Sequence, residues 1–258
     1  MITAIQEHQL PFVWELSLDG VVSHAVGAMH SSPYDFRQQC KELLYGKSAL
    51  MVEYDIKRES PDLQRVNAPT LNQYLQGFSP ADQQFLADVV LEKSLGEMSG
   101  KHPIWFMVEM YKKSGVKFNK QGIDLVFLDG ASEKNIPAVS LETWETQETY
   151  FLAMLNKTPE FLRWIVEKER SESGAAVDFY CRVADTFFSG DENGAWSCTL
   201  ESPTFDTEVH FKRNHIMAEK SLQYLAHPSL IAVGAAHLIG EHSIFHFYQE
   251  KGVTIKRV

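Results

Sequence analysis

The hexapeptide AVGAMH at 25–30 recurs as AVGAAH at 232–237, with Met29 against Ala236 as its one difference. The flanks repeat too. Before His30, PFVWELSLDGVVSHAVGAM reads as two apolar strands joined by Asp19-Gly20, a strong hairpin signal. After it, SSPYDFRQQCKELLYG places Phe36, Cys40, Leu43 and Leu44 at helical spacing, Gly46 stops the helix, and SALMVEYDI is a further strand. At the other end SLIAVGAA is a strand, GEHSIFHFYQEKG sets Ile244, Phe247 and Tyr248 on a helical face, Gly252 stops it, and VTIKRV closes. The order strand–GxxH–helix–Gly–strand is therefore written twice, and it predicts two related βαβ-like units.

The fold expected is α/β: two such lobes, about 10–57 and about 228–258, form a central cleft, and a largely helical insertion occupies about 70–225. Within the insertion, Ser79-Pro80 followed by Asp82 starts one helix and Thr158-Pro159-Glu160 another. PIWFMVEMYKK and FDTEVHFKRNHIMAEKSLQYLA carry helical periodicity, IPAVSLET reads as a strand ending at Glu142, and SGDENG (189–194) reads as a surface turn. No low-complexity linker divides the 258 residues, so one domain is expected.

A net charge of −10 lacks the basic footprint of a nucleic-acid binder and suits attraction of cations. No run of 18 apolar residues is present to span a membrane. Three cysteines without a CxxC pair predict free thiols. With no export signal in MITAIQEHQLPF, a cytoplasmic location is expected unless a leader has been removed. Nothing in the sequence specifies an oligomeric state.

Chemistry concentrates at the repeated motif. Glycine and alanine before each histidine leave room around the ring, and the imidazole projects from the strand's carboxyl edge, where open α/β sheets place ligands. If His30 and His237 converge, two imidazoles and one carboxylate make an open divalent-metal site. Read singly, each histidine is more often a hydrogen-bonded structural residue; the matched context of the pair brings the two readings level. Glu53 is the carboxylate most out of place, set among apolar residues in ALMVEYDI; the competing reading is a half-exposed strand face shared with Ala49, Met51 and Asp55. Glu142 is a similar case, with a helix N-cap role as competitor. Arg213-Asn214, by periodicity alone, belongs to a solvated helix face. HExxH, GxSxG and GxGxxG are absent, and GKS (46–48) has Lys41 where a phosphate loop needs glycine.

With these segments in hand, the chain resembles the TraB/GumN family, related to the TIKI metalloproteases, almost end to end. VWELSLDGVVSHAVGAMH is similar to the family's opening strand pair, and ALMVEYD to its acidic strand. GIDLVFLDGASEKNIPAVSLETWETQ resembles its Gly-x-Asp and Leu-Glu-Thr segment, and KRNHIMA with AVGAAHLIGEHSIFHFYQEKGVTIKRV its closing block. The resemblance implies a fold like the erythromycin esterase and ChaN-like group. It implies an active centre of His30, His237 and Glu53, with Asp124, Glu142, Arg213 and Asn214 as further candidates on the substrate side. It also implies peptide or amide hydrolysis by a divalent ion such as manganese, cobalt or zinc. In this reading His30, His237 and Glu53 hold the metal, Glu53 serves as third ligand or general base, and Arg213 stabilises the oxyanion. Two alternatives stand beside it: a metal-free esterase-type hydrolase with His30 as general base, and a peptide- or haem-binding protein using the same cleft without turnover.

Overall fold

The structure, a computed structural model, describes residues 9–55, 69–91, 101, 109–110, 112–113 and 120–258. The protein is of mixed α/β type. Asp19 and Gly20 both take positive φ, 49° and 81°, so the two-residue turn twists in the sense that antiparallel strands require. It joins β1 (Val13–Leu18) to β2 (Val21–Ala28), with Leu18 facing Val21 across the turn. The remaining strands are β3 (Ser31–Ser32), β4 (Ala49–Val52), β5 (Lys120–Gln121), β6 (Ala138–Ser140), β7 (Ser229–Gly234) and β8 (Thr254–Arg257).

Six of these form one sheet in the order β6-β4-β7-β2-β1-β8; β3 and β5 pair separately. The neighbours β6, β4, β7 and β2 run parallel, while β1 is antiparallel to both β2 and β8. The strands that run into the two hexapeptide motifs, β2 and β7, lie side by side, with Ala28 opposite Gly234. Every residue of β4 is buried, as expected of a central parallel strand covered on both faces. That burial removes the half-exposed face which alternation in the sequence suggested for Ala49 and Met51.

Around the sheet pack α1 (Arg37–Leu43), α4 (Ile123–Glu133), α9 (Thr207–Leu222) and α10 (Ile244–Glu250), α1 against α4 and α9 against α10. In α10 the buried face is Ile244, Phe245 and Tyr248, so Phe245 takes a place expected of Phe247. The central helices are α2 (Leu71–Leu75), α3 (Pro80–Phe85), α5 (Trp144–Asn156), α6 (Thr158–Ser171), α7 (Ala175–Ser189) and α8 (Glu192–Glu201). Several of them enclose a second apolar cluster, including Leu71, Leu86, Phe161, Leu162, Ile165 and Phe179, distinct from the cluster on the sheet.

The segment 189–194 is not the surface turn its composition suggests. Asp191 accepts a hydrogen bond from Gly194 N and caps α8, so the Glu192-Asn193-Gly194 run is helical from the start. Beyond α3 the backbone continues as a π-helical stretch, Leu86–Leu91, where α-helix was expected. Most of the expected helix PIWFMVEMYKK lies outside the described residues. All three cysteines are free thiols, and no described helix is long and apolar enough to cross a membrane.

Candidate functional site

Four parallel strands end at one edge, and the residues just past their ends make the site. His30 lies two residues beyond β2, Glu53 is the first residue after β4, Glu142 lies two residues beyond β6, and β7 ends at Gly234, entering the 3-10 turn Ala235–His237. The carboxyl edge of a parallel sheet is where α/β folds bind ligands. His30, Glu53, Arg213, Gly234 and His237 all line a cleft of about 380 Å³, and His30, Glu53, Arg213 and Gly234 also line an adjoining one of about 230 Å³.

Asp124 fixes His30. The amide of Ile123 donates to Met29 O at 3.0 Å, seating the first turn of α4 against the first motif. A Cβ at Gly122 would collide with the His30 carbonyl, so only glycine allows this approach. Asp124 Oδ2 then accepts from His30 Nδ1 at 2.9 Å, leaving Nε2 unbonded on a side chain that is 82 % exposed in the cleft. The hydrogen bond to Asp124, reinforced by its charge, pushes the His30 imidazole up to about 9.

His237 is the opposite case. Asn214 donates Nδ2–H to His242 O at 2.8 Å, which turns its Oδ1 toward His237 Nδ1, 2.5 Å away. The ring therefore carries its proton on Nδ1 and keeps a lone pair on Nε2, 3.6 Å from Glu53 Oε1. On one face it stacks against His210, whose Nε2 donates to Ala236 O at 2.9 Å. Burial, and after it the Arg213 charge, holds His237 well below the ordinary imidazole range; burial takes His210 down to about 4.

Glu53 stands between a backbone donor and a cation. Its Oε1 accepts from Gly234 N at 2.5 Å and its Oε2 from Arg213 Nη2 at 3.1 Å. A Cβ at Gly234 would meet Glu53 Oε1 at 2.9 Å, so the glycine of the second motif makes way for this carboxylate. Arg213 is itself clamped from behind. Glu142 takes Nε at 2.8 Å and Nη2 at 2.6 Å, Gln147 donates to Glu142 Oε2 at 2.5 Å, and the guanidinium lies 4.2 Å over the Tyr150 ring.

Of the residues singled out from the sequence, His30, His237, Glu53, Arg213 and Asp124 therefore line the cleft or its neighbour. Glu142 and Asn214 do not. The Glu142 side chain is wholly buried with both oxygens engaged, and Asn214 is wholly buried behind His237, so neither side chain faces the two clefts. Arg213 and Asn214 are also not on a solvated helix face: α9 buries both. His210 and Tyr150 escaped the sequence reading. His210 had a signal, standing three and four residues before Arg213 and Asn214 on one helical face; Tyr150 had none.

Both cleft histidines thus use Nδ1–H to hold an oxygen acceptor and present Nε2, the arrangement that orients metal-binding imidazoles, and a carboxylate lies beside one of them. The chemistry of this donor set fits a divalent ion. Among the described residues, however, no three His, Cys, Asp or Glu side chains are already grouped closely enough to hold one.

The TraB/PrgY/gumN family matches residues 12–257. A protein of Amphimedon queenslandica described as "Metalloprotease TIKI homolog" is 21% identical over 203 residues, covering 67% of this chain and 40% of that protein, so the chain spans well under half of that relative's length. No solved structure matches. From its first strand to its last, the chain belongs to the TraB/PrgY/gumN family.

Proposed function

We propose that the protein is a divalent-metal-dependent hydrolase of peptide or related amide bonds, with the two GxxH motifs meeting at one cleft beneath the central helices. The carrying observation is the pair of anchored imidazoles, His30 on Asp124 and His237 on Asn214, that present Nε2 to one cleft beside Glu53. The name of the Amphimedon queenslandica relative supports the reaction class. His30, His237 and Glu53 would hold the ion; when bound, it would supply a water acidified toward neutrality and a Lewis acid for the substrate carbonyl. To take that role His30 gives up its Nε2 proton, which stays on the ring in the free protein because Asp124 bonds the opposite nitrogen, Nδ1, and favours the cation, while His237 is already neutral. Arg213 has Nε and Nη2 committed to Glu142 and Glu53 and is assigned to holding Glu53 in place, in addition to facing the cleft.

The spacing of the carboxylate and imidazoles in the described residues also favours a second reading, a metal-free hydrolase. In that chemistry His30 is a poor general base, because Asp124 keeps it protonated; His237 Nε2, neutral and 3.6 Å from Glu53, suits the task better.

Calorimetric titration of chelator-treated protein with Mn²⁺, Co²⁺ and Zn²⁺ separates the two, alongside a fluorogenic peptide screen. One ion bound per chain, with binding lost in His30→Ala and His237→Ala, supports the metal reading. Turnover that persists undiminished in chelator, with no ion bound, moves the assignment to the metal-free reaction. Ion-independent peptide binding without turnover assigns the cleft to a binding protein.

A further inference from the structure

The cleft of about 380 Å³ and the adjoining one of about 230 Å³ are two chambers on either side of a common partition: His30, Glu53, Tyr150, Arg213, Ala28 and Gly234 line both. Away from the partition the larger chamber is walled by Phe179, Val183, Phe187, Phe205 and Ile239, with the uncharged hydroxyls of Thr199, Ser202 and Thr204 and the imidazoles of His210 and His237 among them. The smaller is walled by Val52, Leu128, Trp144 and Phe151. Among the described residues, no lysine, arginine, aspartate or glutamate lines the larger chamber beyond Glu53 and Arg213. In the smaller one Asp124 is the single addition, and it is engaged with His30.

A reacting group held at the partition sends one flank of the substrate into each chamber. Beyond the charged groups of the partition neither flank meets a free opposite charge, and a terminal ammonium or carboxylate drawn there gives up hydration that hydroxyls and apolar walls replace only in part. An apolar side chain gains there by leaving water. Resting on the hydrolase reading, we infer that the substrate is the interior of a neutral chain, an amide flanked on both sides by apolar side chains, with the bulkier one in the larger chamber. Cleavage is thus internal, away from free chain ends.

The test uses N-acetylated, C-amidated tetrapeptides with the central pair Phe-Leu, Leu-Phe, Ala-Ala or Asp-Lys, and the unblocked dipeptides Phe-Leu and Leu-Phe. Cleavage is followed by mass spectrometry with added Mn²⁺, Co²⁺ or Zn²⁺, and binding by the fluorescence of Trp144 and by calorimetry. Blocked apolar peptides should be bound and cleaved at least about tenfold better than Asp-Lys or the unblocked dipeptides. Val183→Phe, which narrows the larger chamber, should cost about tenfold for one order of Phe and Leu relative to the other order. Phe151→Ala, in the other chamber, should alter selectivity at the opposite flank, so a folding failure of one variant leaves the other as a test.

Cleavage that favours unblocked or charged peptides overturns the substrate class and leaves the hydrolase reading standing. Chamber-dependent binding of blocked apolar peptides without cleavage keeps the chambers and removes the hydrolase. Absence of both binding and cleavage overturns the inference.

Discussion

Glu142→Gln is nearly isosteric, and in this structure it should be among the most damaging single substitutions. Glu142 offers two oxygens to three donors: Arg213 Nε, Arg213 Nη2 and Gln147 Nε2. A glutamine has one oxygen and one NH₂, so in either orientation an N–H is pushed against an N–H inside a closed cluster. A buried donor left unsatisfied costs about 1–3 kcal/mol. Arg213 also loses its bidentate counter-ion and keeps only Glu53 at 3.1 Å; breaking a buried ion pair costs about 3–5 kcal/mol. These terms overlap, and a net loss of about 3 kcal/mol is expected, or about 6–12 °C in Tm for a chain of this size. Urea unfolding and scanning calorimetry measure it, with Glu208→Gln as control, since that carboxylate is 78 % exposed and should change stability by less than about 0.5 kcal/mol. A loss below about 1 kcal/mol for Glu142→Gln, accompanied by a raised KM, would refute the supporting role and return Glu142 to the substrate's side.

The same contacts predict three other outcomes. Gly234→Ala places a methyl against Glu53 Oε1, so ion uptake in calorimetry should fall at least about tenfold while the circular dichroism spectrum persists; unchanged uptake would separate Glu53 from the ion. In chelator-treated protein, His210 titrates near 4 when folded against about 6.5 when unfolded, so its contribution to stability is full above pH 6.5 and is lost as the pH falls toward 4. The slope should be about 1.4 kcal/mol per pH unit from this residue, and urea titrations of His210→Phe should show it reduced. Burial pushes the Cys40 thiol up to about 12, so a disulfide reagent at pH 8 should leave Cys40 unmodified in the native protein and count three thiols after unfolding.

The features legible in the sequence and those hidden in it differ for physical reasons. Asp19-Gly20 and the two GxxH repeats are local signals: a turn chemistry and a strand ending, both decided within a few residues. Glu53 stood out because a carboxylate in an apolar strand is costly unless something compensates it, and here Gly234 and Arg213 do. Helix α9 misled for the converse reason. Its buried positions, His210, Arg213, Asn214, Met217, Ala218 and Ser221, keep helical spacing, but much of that stripe is polar, so periodicity of apolar residues assigns the inner face to solvent. Glu142 and Asn214 were correctly marked as unusual, yet whether a polar residue touches a ligand or another side chain depends on tertiary contacts 71 and 23 residues away. At 189–194, turn-forming composition hid a cap, because Asp191 serves a helix start as readily as a loop.

The pairing of β2 with β7 also sets the order in which the protein can be made. Ser229 N donates to Ser23 Oγ across 206 positions, and the two motif strands meet only when that long loop closes. Closure of a loop this long costs about 5 kcal/mol of chain entropy before any contact between the strands repays it. During synthesis the first motif emerges with its hairpin while its partner is still unmade, and a ribosome-bound chain stopped before residue 229 has no β7, no Gly234 amide for Glu53 and no His237. Whatever chemistry the cleft performs therefore cannot precede the synthesis of residues 229–237, and a nascent chain has no complete cleft until they emerge beside the first motif.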